Sequence, residues 1–264
     1  MRAGYVQYEV KFGDFAANAA RVRALVAQAA PTDLLVLPEL AFSGYDFQDR
    51  DEVALHAEPA GAGPAAALLR ELARQYEVTL VAGYVEGTDT GCYNACLCVQ
   101  PDGTVHSYRK IHLFNREQEL FLPGDAPPPV IETPHARIGL MICFDWFFPE
   151  TARSLALRGA QVIAHPSNLV LPWCQRAMFA RCVENRVFAI TANRIGTEDR
   201  AGRALTFTGG SQVVSPTGEV LASAPTEADA VGTAEIAAID ANSKVIAGLN
   251  DLFRDRRTDL YLGL

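Results

Sequence analysis

Three side chains have the chemistry for covalent catalysis, and each sits at the end of a stretch that reads as a β-strand. Glu39 lies in LLVLPEL, Lys110 sits in SYRKIHLF, and Cys143 lies in RIGLMICFDWFFPE. In open α/β sheets, ligands bind at the carboxyl ends of the strands. A carboxylate, an ammonium and a thiol converging there would serve as general base, oxyanion stabiliser and nucleophile. Taken singly, each has a plainer explanation. A lone buried cysteine packs as a small hydrophobe, while a glutamate after proline and a lysine after a strand are ordinary solvated charges. Only the three together, in these contexts, point to a site.

The elements that must position them read clearly. Asp14 can cap a helix whose apolar face is Phe15, Ala19, Val22, Val26 and Ala29, and Pro31 ends it. Leu34–Leu37 is a continuous apolar run, the mark of a strand covered on both faces. Gly63-Pro64 opens a second helix with Leu68, Leu69, Leu72, Ala73 and Tyr76 on one side. Val78–Val85 and Ala95–Gln100 read as strands, and Pro101-Asp102-Gly103 turns the latter into a hairpin with Thr104–Arg109.

The second half repeats this grammar. Arg137–Ile142 is strand-like, and Pro149 opens a helix with Ala152, Leu155, Ala156 and Gly159 on one face. A strand at Gln161–Ala164, a helix marked by Trp173, Ala177 and Ala180, a strand at Arg186–Ala192 and a hairpin turn at Pro216-Thr217-Gly218 follow. Pro127-Pro128-Pro129 lies in a connection long enough to suggest a functional loop. Two α/β halves of similar plan with no flexible linker predict one domain over residues 1–264, with helices outside stacked sheets.

In these stretches the chain resembles the nitrilase superfamily of carbon–nitrogen hydrolases. LLVLPELAFSGY, YRKIHLF and ICFDWFFPETARSLALRGA carry the resemblance, followed by HPSNLVLPW and ENRVFAITANR, and it extends to the DLFRDRR tail. It implies a four-layer αββα sandwich and a Glu39–Lys110–Cys143 triad. Glu117 opens an E-x-x-x-F-x-P-G-D pattern ending at Asp125, for which the resemblance implies a structural or substrate-positioning role near Lys110. The implied mechanism is covalent. Glu39 takes the thiol proton, Cys143 attacks an amide carbon, and Lys110 with the Phe144 N–H holds the oxyanion. Ammonia leaves, and a water activated by Glu39 hydrolyses the thioester. The resemblance also implies at least a homodimer, with a C-terminal arm, about residues 245–264, packed on the neighbour.

Residues after the nucleophile narrow the substrate. Nitrilases proper of this family carry Cys-Trp-Glu in longer chains, whereas Cys143-Phe144-Asp145 here looks like the amidase branches. Relatives acting on N-carbamoyl amino acids place arginine just after that aspartate; here Trp146-Phe147-Phe148 stand instead, which favours a small neutral or apolar substrate. Phe144, Trp146, Asn168, Leu169 and Trp173 are the expected pocket residues. ICFDWFFPE and HPSNLVLPW also resemble short archaeal nitrilases, so hydrolysis of a small nitrile is the second reading. A non-catalytic ligand-binding scaffold is the third, and the intact triad weighs against it.

Composition bounds the partners. The 264 residues are 49% apolar, which excludes a disordered chain. Acidic residues outnumber basic ones 31 to 23, a net charge of −8 without a basic stripe, which argues against nucleic acid and anionic membranes. No stretch approaches the ~18 apolar residues of a membrane span. MRAGYVQYE lacks a signal peptide's apolar run, so the six cysteines read as free thiols in a reducing cytoplasm. Cys92 and Cys98 in one strand would lie ~20 Å apart at ~3.3 Å per residue, too far for one metal site with Cys96. His165 reads as a wall or core residue and not a ligand. Without a Walker-type loop or a GxGxxG fingerprint, no nucleotide cofactor is expected.

Overall fold

This computed structural model describes residues 1–200 and 202–261. The chain opens with β1 (Arg2–Gln7), α1 (Phe15–Ala29), β2 (Leu34–Val36), a short α2 (Arg50–Leu55), α3 (Pro64–Tyr76), β3 (Thr79–Thr88), β4 (Gly91–Val99) and β5 (Val105–Arg109). Residues 110–129 then carry α4 (Glu117–Leu120) and lead to β6 (Val130–Glu132) and β7 (Arg137–Leu140). A 3-10 turn at Cys143–Phe147 precedes α5 (Pro149–Leu157), β8 (Val162–Pro166), α6 (Cys174–Asn185) and β9 (Phe188–Ala192). The hairpin of β10 (Thr197–Arg200) and β11 (Arg203–Thr206) follows, then β12 (Gln212–Val214), β13 (Val220–Ser223) and β14 (Ala230–Glu235). A small hairpin of β15 (Val245–Ala247) and β16 (Asn250–Asp251) begins the C-terminal arm.

Two six-stranded sheets form, ordered β14-β1-β2-β3-β4-β5 and β13-β12-β9-β8-β7-β6. Their centres are parallel: β1–β2–β3 in one and β7–β8–β9 in the other. Parallel neighbours need a crossover, and α1, α3, α5 and α6 supply the four. The remaining pairs are antiparallel; β3–β4, β4–β5, β6–β7 and β12–β13 are joined by short turns, among them the two Pro-x-Gly hairpins anticipated from sequence.

Side-chain parity sorts the layers. Leu34 and Val36 join Tyr5 and Val81 in a core shared with Ile138, Leu140 and Val162 of the second sheet. Leu35 and Leu37 point the other way, onto Val22, Leu25, Leu69 and Leu72 of α1 and α3. The second sheet's outer face meets Ala152, Leu155, Met178 and Cys182 of α5 and α6. The result is a four-layer αββα sandwich, and the double burial of β2 is why its sequence is apolar at every position. The first sheet takes its edge strand from the far end of the chain: β14 pairs antiparallel with β1, from Arg2↔Glu235 to Gln7↔Ala230.

Local signals explain most element ends. The Asp14 side chain accepts the Ala17 N–H at 2.9 Å and caps α1, and Pro64 occupies the first turn of α3. Two readings need correction. Trp173 precedes α6 and is 53% exposed, and the buried stripe of that helix is Cys174, Met178, Cys182 and Asn185, not the side of Trp173, Ala177 and Ala180. That stripe mixes thiols, a thioether and an amide, so it carries little hydropathy contrast. Helix α2 was not anticipated, because RDEVAL buries only Val53 and is held by the Asp49 cap and not by an apolar face.

Candidate active site

Beyond β2 the chain continues along β3. The Leu37 N–H donates to Val81 O at 2.7 Å, the Gly83 N–H to Pro38 O at 3.0 Å, and the Ala41 N–H to Gly83 O at 3.0 Å. Gly83 makes this contact possible, since a Cβ there would come within 2.3 Å of Leu40 N and 2.5 Å of Glu39 Cα. Glu39 is thus laid over β3 with its side chain fully buried.

Lys110 follows β5 directly, and its N–H donates to Asn94 O at 2.8 Å. Its ammonium donates to Glu39 Oε1 at 2.7 Å and to Glu117 Oε1 at 2.9 Å. Asn94 Nδ2 donates to the same Glu39 oxygen at 2.7 Å. Glu117, at the start of α4, also accepts the Tyr45 phenol at 2.6 Å and the Phe114 N–H at 3.1 Å. The buried Glu39 Oε2 has no partner among the described residues. One carboxylate oxygen is therefore clamped and the other is left open.

Cys143 heads the 3-10 turn with φ +39°, a left-handed conformation costly for a residue with a Cβ. Its neighbours hold it there. The fully buried Asp145 accepts the Ile142 N–H and the Tyr108 phenol, each at 2.9 Å, and the His112 N–H at 3.2 Å. His165 Nε2 lies 2.9 Å from Cys143 O and donates to it, with Thr191 Oγ1 3.1 Å from Nδ1. Burial drives the His165 pKa down to about 4, so this ring is neutral.

The charges follow from the same packing. Burial pushes the Cys143 thiol well above its usual range, and the Glu39 and Glu117 carboxylates push it further; Lys110 and a hydrogen bond from the Asn168 N–H oppose them. Burial works against a charged Lys110, but Glu117 and Glu39 overcome it and hold the ammonium firmly protonated. Burial raises the Glu117 carboxyl, with Lys110 opposing. At rest, then, an ammonium held between Glu39 and Glu117 stands beside a protonated thiol.

The cleft at Cys143 is lined by Phe114, Phe144, Trp146, Asn168, Leu169, Val170 and Leu171, with about 20 Å³ of open space, room for about one water. Four expected pocket residues, Phe144, Trp146, Asn168 and Leu169, are in this wall. Trp173 is not, because its place just before α6 turns it outward. Sequence reasoning missed Asn94, Tyr45, Gly83 and Phe114. Asn94 had a signal, for it shares strand parity with the buried Cys96 and Cys98, and an amide at a core position of a strand calls for a partner.

The carbon-nitrogen hydrolase family model matches residues 2–243. The chain is 43% identical over 263 residues to a nitrilase of Pyrococcus abyssi, covering 99% of each protein. It is 38% identical over 225 residues to an (R)-stereoselective amidase of Pseudomonas sp, covering 84% of this chain and 80% of that one. A glutamate-to-glutamine variant of the amidase from Nesterenkonia sp. AN1, in which acrylamide has added to the active-site cysteine, superposes with a TM-score of 0.80 at 28% identity over 98% of both chains. With sequence, fold and these relatives in agreement, the chain belongs to the carbon–nitrogen hydrolases of the nitrilase superfamily.

Proposed function

We propose that this enzyme hydrolyses small uncharged primary amides to a carboxylic acid and ammonia through a thioester on Cys143. The observation that carries the reading is the divided Glu39 carboxylate: Oε1 is fixed by Lys110 and Asn94, and Oε2 is free to take a proton. Glu39 removes the Cys143 proton as sulfur attacks the amide carbon. The oxyanion is held by Lys110 and by the Phe144 N–H, one of the first N–H groups of a helical turn and so without a partner inside it. Collapse breaks the C–N bond, and the proton returns from Glu39 to the leaving ammonia. Water, deprotonated by Glu39, then splits the thioester and restores the thiol. Glu117 and Tyr45 keep Lys110 in place. The aromatic wall of Phe114, Phe144 and Trp146, without an arginine, suits a neutral acyl group.

The 43% identity to a nitrilase favours a second reading, in which the same thiol attacks a small nitrile. Ammonia release from matched C2–C5 amides and nitriles separates the two, and no release from either overturns both. Acyl mass should appear on Cys143 alone, and Cys143→Ala should be inactive.

We also propose a cytoplasmic homodimer acting on small molecules, without nucleic-acid or membrane partners. All six cysteines are free thiols. No helix of the described residues is long and apolar enough to cross a membrane. Phe147 of the 3-10 turn, Trp173 just before α6, Phe179 of α6, and Leu249, Leu260 and Tyr261 of the arm are exposed; residues 262–264 of that arm lie outside the described set. Solvent-facing aromatic and aliphatic side chains in such number favour a second copy as cover. Light scattering showing a monomer at micromolar concentration would refute it.

A further inference from the structure

Asn168 stands between two pinned residues. The Ser167 N–H donates to Ala192 O at 2.8 Å, and the Leu169 N–H to Asn193 Oδ1 at 2.8 Å. The Asn168 side chain lines the Cys143 cleft in a residue only 3% exposed, yet among the described residues neither its Oδ1 nor its Nδ2 has a hydrogen-bond partner. Every other buried asparagine uses at least one end of the amide: Asn18 and Asn193 use both, and Asn94 and Asn185 use Nδ2 and leave only Oδ1 open. Leaving a buried polar group unsatisfied is costly, so an amide left open at both ends calls for an occupant. The pinned backbone denies this one a retreat to solvent.

We infer that the Asn168 carboxamide recognises the reacting carboxamide of the substrate, with Oδ1 accepting one N–H of its NH₂ group. This rests on the amide-hydrolysis reading. Cys143 and Asn168 line the same cleft, which places this side chain beside the reacting atom. Lys110 and Phe144 would address the carbonyl oxygen, and the nitrogen side of the substrate would otherwise meet Phe114, Leu169 and Val170. A nitrile or an ester of the same acid has no N–H to offer. Sites built to hydrogen-bond a substrate N–H reject analogues lacking it far more strongly than apolar pockets reject a methylene. Asn168 therefore selects primary amides.

The test compares the best primary amide of the C2–C5 series with the methyl ester of the same acid, which passes through the same thioester. In Asn168→Leu, kcat/KM for the amide should fall about 100-fold and for the ester less than threefold, with deacylation unchanged. Asn168→Ala provides a second variant, and its ester turnover reports that the site is folded. Equal losses on amide and ester in both variants, or no loss on the amide, overturn the inference. A wild type that turns over neither compound strikes instead at the hydrolase reading.

Discussion

The proposed nucleophile waits with its proton on. Burial and two carboxylates raise the Cys143 thiol, so little thiolate exists at neutral pH without substrate. Alkylation of Cys143 by iodoacetamide should therefore be slow at pH 7 and climb about tenfold per pH unit toward pH 9. A plateau below pH 8 would show a resting thiolate and contradict this. Saturating amide should protect Cys143 and leave the more exposed Cys92 unprotected, as peptide mass mapping would show. Lys110→Ala removes the charge that opposes the raised thiol pKa and one oxyanion donor, a loss of about 10²–10³ in kcat. Glu39→Gln keeps the Lys110 contact through its amide oxygen but cannot take a proton, so both acylation and deacylation should stop. Single-turnover measurements on the two variants would separate these effects. The candidate triad of Glu39, Lys110 and Cys143 could be picked out because reactive side chains at strand ends are conspicuous in a linear sequence. Asn94 and Tyr45 were not, since each acquires its role only through a contact with a residue far along the chain, 55 and 72 positions away.

At the scale of elements, the site depends on where backbones cross. Gly83 lets the segment after β2 lie against β3, and a methyl there has nowhere to go. Gly83→Ala should lower the melting temperature, as overpacking by one carbon costs about 1–3 kcal/mol, and should cut kcat/KM at least tenfold by displacing Glu39. Ammonia release and a thermal melt on the same sample check both, and wild-type kinetics would show that the crossing is not what places the base. His165 couples β8 to the nucleophile turn. Its pKa falls from 6.5 to about 4 on folding, so between those values the unfolded chain holds the extra proton. Stability should thus decline as pH drops from about 6.5 to about 4, by on the order of 3 kcal/mol. In His165→Gln that slope should flatten in melts recorded across the window; an unchanged slope would assign it to other groups. Strands and major helices were readable from period and turn chemistry. The buried side of α6 was not, because Cys174, Met178, Cys182 and Asn185 make a stripe that packs well without looking apolar.

Across the whole molecule, the proposed active site belongs to neither half. Glu39, Asn94, Lys110 and Glu117 come from the first sheet and its following connection, and Cys143, Asn168 and His165 from the second. The similar plan of the halves was visible in the order of strands and helices, but the exchange of β14 was not, because an edge strand's partner is a matter of distance in space and not in sequence. That exchange has a practical consequence. A chain divided within the Pro127-Pro128-Pro129 stretch would give one piece holding the base and ammonium, and another holding the thiol together with the strand that finishes the first piece's sheet. Each piece would be inert alone, and each would carry an exposed edge that only the other matches. Co-expressed, the pieces should reassemble and regain ammonia release, and appending β14 to the first piece should weaken their association. The hydrolase would then report, through its own turnover, whether two proteins fused to the pieces have met.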